Sequence, residues 1–225
     1  MQVAIDGPAG SGKSSVAKEV ARRMNLNYLD TGAMYRAVTL KALKEGIDVH
    51  DSKRVGKLAK ECNMAVEYSE NEGTLIFLDG EDVTGEIRST WVNQHVSIVA
   101  SSPELRNELV YLQRRVADKS GGIVMEGRDI GTNVLTGADF KFFLFASIEE
   151  RAKRRWLEMK SKGMDVDFNK LLKEIANRDR LDESREASPL KVAAGAEIID
   201  TTNYSLEEAI SAVIDFINKN SVEGR

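Results

Sequence analysis

The most specific chemistry in this chain sits in one short run, Gly7-Pro8-Ala9-Gly10-Ser11-Gly12-Lys13-Ser14. It satisfies G-x-x-x-x-G-K-[ST] in full. In that pattern glycines let backbone N–H groups converge on phosphate oxygens, and a helix N-terminus adds partial positive charge at the same point. Lys13 is placed to reach the β- and γ-phosphates, and the Ser14 hydroxyl to bind Mg²⁺. The flanks agree: Val3-Ala4-Ile5 is short, apolar and β-prone, and a helix is predicted from about Lys13 to Met24. The pattern alone implies a nucleoside triphosphate. It does not separate a kinase from an ATPase or a GTPase switch.

A kinase with a phosphorylated acceptor holds two polyanions together and needs fixed cations between them. Arginine suits this because it stays charged and binds oxyanions bidentately. Arg36 follows Asp30-Thr31-Gly32-Ala33-Met34-Tyr35, and Arg128 ends a predicted central strand, where ligands bind in open α/β sheets. Arg151, Arg154 and Arg155 open a helix with Lys153. Arg178, Arg180 and Arg185 lie in a polar stretch, 178–185, that shows no apolar face. That stretch reads either as an exposed, ion-paired helix or as a lid that closes on the phosphates. Lys153, Lys160 and Lys162 read as solvated surface charges.

The elements that must position these groups are legible in outline. Strands are predicted at Val3-Ala4-Ile5, Tyr28-Leu29-Asp30, Gly122-Ile123-Val124-Met125, Phe140 to Phe145 and Ile198-Ile199. Helices are predicted from about Ala33 to Lys44, closed by Gly46, and from Ser102-Pro103 through Leu105, Leu109, Leu112 and Val116. Ser147 with Glu150, and Ser205 with Glu208, read as capping boxes. Strands alternating with helices imply a doubly wound parallel sheet. Between Cys62 and Arg88 the rhythm changes: 64–68 and 74–78 flank a turn at 69–73, an antiparallel hairpin inserted into the α/β repeat. The tail Val222-Glu223-Gly224-Arg225 reads as frayed.

Composition excludes several function classes. The 225 residues suit one α/β domain with an insertion, with a formal charge of −4 that favours neither nucleic acid nor membrane binding. The single cysteine, Cys62, rules out an internal disulfide and a Cys-rich zinc site. No apolar run approaches the ~20 residues of a membrane span, and no signal peptide is expected. A cytoplasmic monomer is the expectation.

At this level of detail the chain resembles bacterial cytidylate kinases over essentially its whole length. The resemblance rests on 5–13, 29–36, 127–132 and 185–190, and on Gly80-Glu81-Asp82-Val83-Thr84-Gly85-Glu86-Ile87-Arg88 at the end of the insertion. It implies a P-loop three-layer, adenylate-kinase-like core with a five-stranded parallel sheet and a small inserted antiparallel β subdomain. The expected division is a core at about 1–30, 100–150 and 190–220, a monophosphate-binding insert at about 31–99 and a lid at about 152–188. ATP with Mg²⁺ is implied as donor, and CMP or dCMP as acceptor. ATP is expected on Gly7, Pro8, Ala9, Gly10, Ser11, Gly12, Lys13, Ser14 and Ser15, with Arg155. The resemblance further implies that Thr31, Tyr35 and Arg36 line the acceptor site, and that Ser97, Arg106 and Asp129 contact cytosine. Arg36, Arg128 and Arg185 would hold the acceptor phosphate, and Arg178 and Asp182 the sugar. Two positions depart from many relatives: Thr31 stands where Ser is common, and Glu126 where Asp is common.

The chemistry of the base supports this in part. Cytosine presents an N4 amino donor where uracil presents an acceptor, so a carboxylate such as Asp129 favours cytosine. An acceptor phosphate is already an anionic nucleophile, so in-line transfer needs no phosphoenzyme and no general base; Lys13, Arg128 and Arg185 are the expected charge-neutralising groups. His50 and His95 carry no expected role. Two competing readings remain at this point. One is a P-loop kinase for another small phosphorylated acceptor. The other is a nucleotide switch, for which Asp82-Val83-Thr84-Gly85 offers a loose D-x-x-G but no N-K-x-D partner occurs.

Overall fold

The computed structural model describes residues 1–69, 73–161 and 163–222. The predicted turn residues 70–72, Lys162 and the tail 223–225 lie outside them. Five strands, β1 (Gln2–Asp6), β2 (Asn27–Asp30), β6 (Ile123–Gly127), β7 (Phe140–Phe145) and β8 (Glu197–Asp200), form a parallel sheet in the order β2-β6-β1-β7-β8. A second, antiparallel sheet holds β3 (Met64–Ser69), β4 (Gly73–Leu78) and β5 (Glu81–Asp82). The Thr74 hydroxyl donates to the Tyr28 carbonyl, which fastens this sheet to edge strand β2.

The helices are α1 (Lys13–Arg23), α2 (Thr31–Lys44), α3 (Ser52–Glu61), α4 (Thr90–Val99), α5 (Pro103–Lys119), α6 (Ile148–Ser161), α7 (Phe168–Ser184) and α8 (Leu206–Val222). Side chains alternate across β1: Val3 and Ile5 pack with α1 and α8, whereas Ala4 joins the opposite core with Leu29, Met125 and helices α2 to α5. Ile76, Leu78, Val83 and Ile87 of the insertion belong to that same second core. The α6–α7 hairpin rests on a separate small cluster, Ala152, Leu171 and Ile175, with Trp156 against it.

Local details sharpen the sequence reading. Helix α2 begins at Thr31, two residues before the expected start, because the Asp30 side chain caps it by accepting from Ala33 N at 3.2 Å. Ser205 and Glu208 form both halves of their capping box. Ser147 forms only one: Glu150 N donates to Ser147 Oγ, but Ser147 N goes to Thr202 Oγ1 and the Glu150 carboxylate to Arg154. Residues 178–184 of the polar stretch form the C-terminal end of α7, and Arg185 is its C-cap. The apolar residues that bury this helix, Leu171 and Ile175, lie upstream of the stretch. Asp82 to Gly85 lies in the insertion, away from the parallel sheet.

Candidate active site

The phosphate loop leaves the C-terminal end of β1 and feeds α1. Gly7 has φ +155°, and a Cβ there would stand 2.0 Å from the Leu144 carbonyl oxygen; Gly12, at φ +86°, occupies the N-cap of α1. Among the described residues no side chain caps α1, so its first N–H groups face the loop, the arrangement that binds anions. Lys13, 6% exposed, donates to Pro8 O at 3.3 Å and lies 3.7 Å from Glu126 Oε2. Burial, and next the Arg128 charge, pull its pKa down to about 8. Ser14 Oγ donates to Glu126 Oε1 at 2.5 Å, and Tyr28 reaches the same oxygen at 3.3 Å. Hydroxyl and carboxylate oxygens together are the hard donor set that Mg²⁺ takes, so Ser14 and Glu126 fit that ion.

Opposite the loop, strand ends and two helices bring arginines together. Asp30, at the end of β2, accepts from Arg36 Nη2 at 2.5 Å and lies 3.9 Å from Arg88 Nη2. Burial opposes its ionisation, but Arg36 and then Arg88 hold the carboxyl below its usual range. Arg128, just past β6, donates from Nε to Asp182 Oδ2 at 2.7 Å, and Arg185 Nη1 lies 3.6 Å from Asp182 Oδ1. Arg106 of α5 donates to Asp129 at 2.6 Å, a pair with both side chains at least 95% buried, and stands 5.0 Å over the Tyr35 ring. Thr31 donates to the Glu126 carbonyl at 2.8 Å.

The cluster carries more positive charge than its carboxylates neutralise. Arg178 falls to about 10 through burial and then the Arg128 charge, and Arg185 is lowered by burial and then Arg106. Among the described residues, Arg36 Nε, Arg106 Nε, Arg178 Nε and Arg185 Nη2 are buried and make no hydrogen bond. Buried donors of this kind are expensive to leave unpaired, and oxyanions are their natural partners.

Arg36, Arg106, Arg128, Asp129, Arg178, Asp182, Arg185 and Tyr35 thus meet near Lys13. Ser97, half-buried on α4, makes no hydrogen bond to this group. Arg155 pairs with Glu158 at 2.7 Å at the surface, while its charge acts on Arg178. His95 Nδ1 contacts Trp91 O, outside the cluster. Arg151 and Arg154 turn inward to the phosphate loop's backbone, at Ala9 O and Ser11 O. Sequence reasoning passed over three supporting carboxylates. Asp30 holds Arg36. Glu126 joins Lys13 to Ser14. Asp6 accepts from Ile130 N and Gly131 N, both at 2.8 Å, and so anchors the widened helical turn Ile130–Val134 beside Asp129. The available signal was position, since Asp6 and Asp30 end parallel strands and Glu126 stands one residue before the end of another.

The chain is similar to known proteins along nearly its whole length. Residues 3–219 match the family model described as cytidylate kinase. A cytidylate kinase of Shouchella clausii (strain KSM-K16) is 50% identical over 219 residues, covering 97% of this chain and 96% of its own. One from Caldanaerobacter subterraneus subsp. tengcongensis is 48% identical over 221 residues, covering 98% and 96%. An uncharacterized protein from Eubacterium ventriosum ATCC 27560, of known structure, shares the fold alone: TM-score 0.50 at 14% identity, over 97% of this chain and 98% of that one. Identity near one half along nearly the full length, on a parallel sheet that ends in a phosphate loop, makes this chain a member of the cytidylate kinase family.

Proposed function

We propose that the protein transfers the γ-phosphate of ATP to CMP or dCMP, giving ADP and CDP or dCDP, by direct in-line displacement. The observation that carries this reading is the ring of buried, unpaired guanidinium nitrogens on Arg36, Arg106, Arg178 and Arg185 around a P-loop lysine. One triphosphate engages the loop. Cations on the far side are needed only if a second phosphate arrives there.

The proposed roles are those that the family resemblance implies. Gly7 to Ser15 cradle the triphosphate, and Lys13 draws charge from the transferring group. Arg155 is assigned to the donor nucleotide. Arg36, Arg128 and Arg185 hold the acceptor phosphate against repulsion. Thr31 and Tyr35 line the acceptor site, Arg178 and Asp182 flank the sugar, and Ser97, Arg106 and Asp129 read the base. Mg²⁺, when bound at Ser14 beside Glu126, supplies charge neutralisation on the β- and γ-phosphates. The insert, about 31–99, carries the acceptor, and the lid, about 152–188, closes to exclude water. The lid's small separate core supports that motion. We further read the enzyme as a cytoplasmic monomer; among the described residues no helix is long and apolar enough to cross a membrane.

A coupled assay with ATP against CMP, dCMP, UMP and AMP tests the reading. CMP and dCMP should be turned over well above UMP and AMP. Equal rates with all four, or none with CMP, would refute it.

A further inference from the structure

Arg151 uses its guanidinium on the protein itself. Nε donates to Ala146 O at 2.9 Å, and Nη1 to Ala9 O of the phosphate loop at 3.1 Å. Nη1 and Nη2 then grip Asp179 of α7 at 3.0 and 2.7 Å, a bidentate pair whose side chains are 7% and 14% exposed. The approach is close: a Cβ on Gly10 would stand 3.2 Å from the Arg151 Cβ. Asp179 immediately follows Arg178 and lies one turn before Asp182, which holds Arg128.

The same helix end has a reason to move away. Arg178 is pressed towards Arg128, and both push on Lys13; the depressed pKa values of Lys13 and Arg178 record this repulsion after burial. Something must oppose it until a polyanion arrives. A bidentate, largely buried ion pair between α7 and the loop that carries Lys13 does so.

We infer that Arg151 and Asp179 are paired positioning residues: one guanidinium ties the phosphate-loop backbone to α7, so that the donor cradle and the acceptor-side cations are set against each other as one unit. Neither residue touches a nucleotide in this account. The inference rests on the activity proposed above, and its test separates the two.

The test is a double-mutant cycle with Asp179→Asn and Arg151→Gln, read by CMP phosphorylation and by the ratio of ATP hydrolysed to CMP phosphorylated. Each single variant should lose at least about 30-fold in kcat, the low end of the scale of breaking one partner of a buried charge pair. KM for ATP should stay within about threefold, because the nucleotide contacts are intact. The hydrolysis ratio should rise about tenfold as water enters between loop and helix. The double variant should be no worse than the poorer single, and Asp179→Glu should recover most of the loss. A thermal melt checks folding; if Arg151→Gln does not fold, Arg151→Lys, which keeps charge but not the fork, takes its place. Additive losses, or an unchanged hydrolysis ratio in Asp179→Asn, would overturn the inference. A wild type that binds ATP but leaves CMP untouched refutes the activity and not the pair. The cycle is then read by the rate of ATP hydrolysis alone: a rise in each single variant that is not additive in the double supports the pair, and additive changes overturn it.

Discussion

Replacing Lys13 by Met should disable the enzyme and stabilise the fold. Lys13 is 6% exposed and faces Arg128 and Arg178, so folding brings a cation into a dry, already positive place. Its pKa, 10.5 in water and about 8 here, converts at 1.36 kcal/mol per tenfold into a folding cost of about 3 kcal/mol. Glu126 loses a cation 3.7 Å away but keeps its donors from Ser14 and Tyr28. The net gain is then about 1–2 kcal/mol, or about 2–8 °C in Tm for a chain of this size. Turnover should fall by about 10²–10³, the effect of losing one charge contact made in the transition state. The pH dependence supplies a second check. With a lowered pKa the folded state binds fewer protons than the unfolded one between about pH 8 and 10.5. Wild-type stability should therefore rise across that window, closing the gap to the variant. Differential scanning fluorimetry from pH 7 to 10, beside a coupled ATP/CMP assay, measures both. A variant that melts below the wild type at pH 7, or that keeps its turnover, would refute the argument.

Two further outcomes follow from the same geometry. Gly7→Ala should lose ATP binding and melt lower, because the new Cβ would meet the Leu144 carbonyl at 2.0 Å and that backbone oxygen belongs to a buried strand; calorimetric ATP affinity and a thermal melt check it. Burial raises the Asp6 carboxyl to about 7 against two backbone N–H donors that lower it. A raised folded pKa means stability is lost as pH climbs from about 4 to about 7. Asp6→Asn should flatten that part of the Tm–pH curve, and a wild-type decline left unchanged in the variant would remove the assignment.

What the sequence determined by itself is what neighbours along the chain determine. The phosphate loop, the short strand at Val3-Ala4-Ile5, the Ser102-Pro103 helix start and the Ser205–Glu208 box all act over a few residues, so their geometry follows from residue type and spacing. The hairpin was legible because its period differs from the helical pattern around it. The pairings of the site were not. Ser14 meets Glu126 across 112 positions, Arg128 meets Asp182 across 54, and Arg106 meets Asp129 across 23. An arginine bound for solvent and one bound for a buried carboxylate look alike in sequence, which is why Arg151 read as one of a row of helix cations. The strand order β2-β6-β1-β7-β8 decides among them, since it brings the ends of β1, β2 and β6 side by side beneath α7. Only that assembly excludes enough water for the charges of Lys13, Arg128 and Arg178 to act on one another.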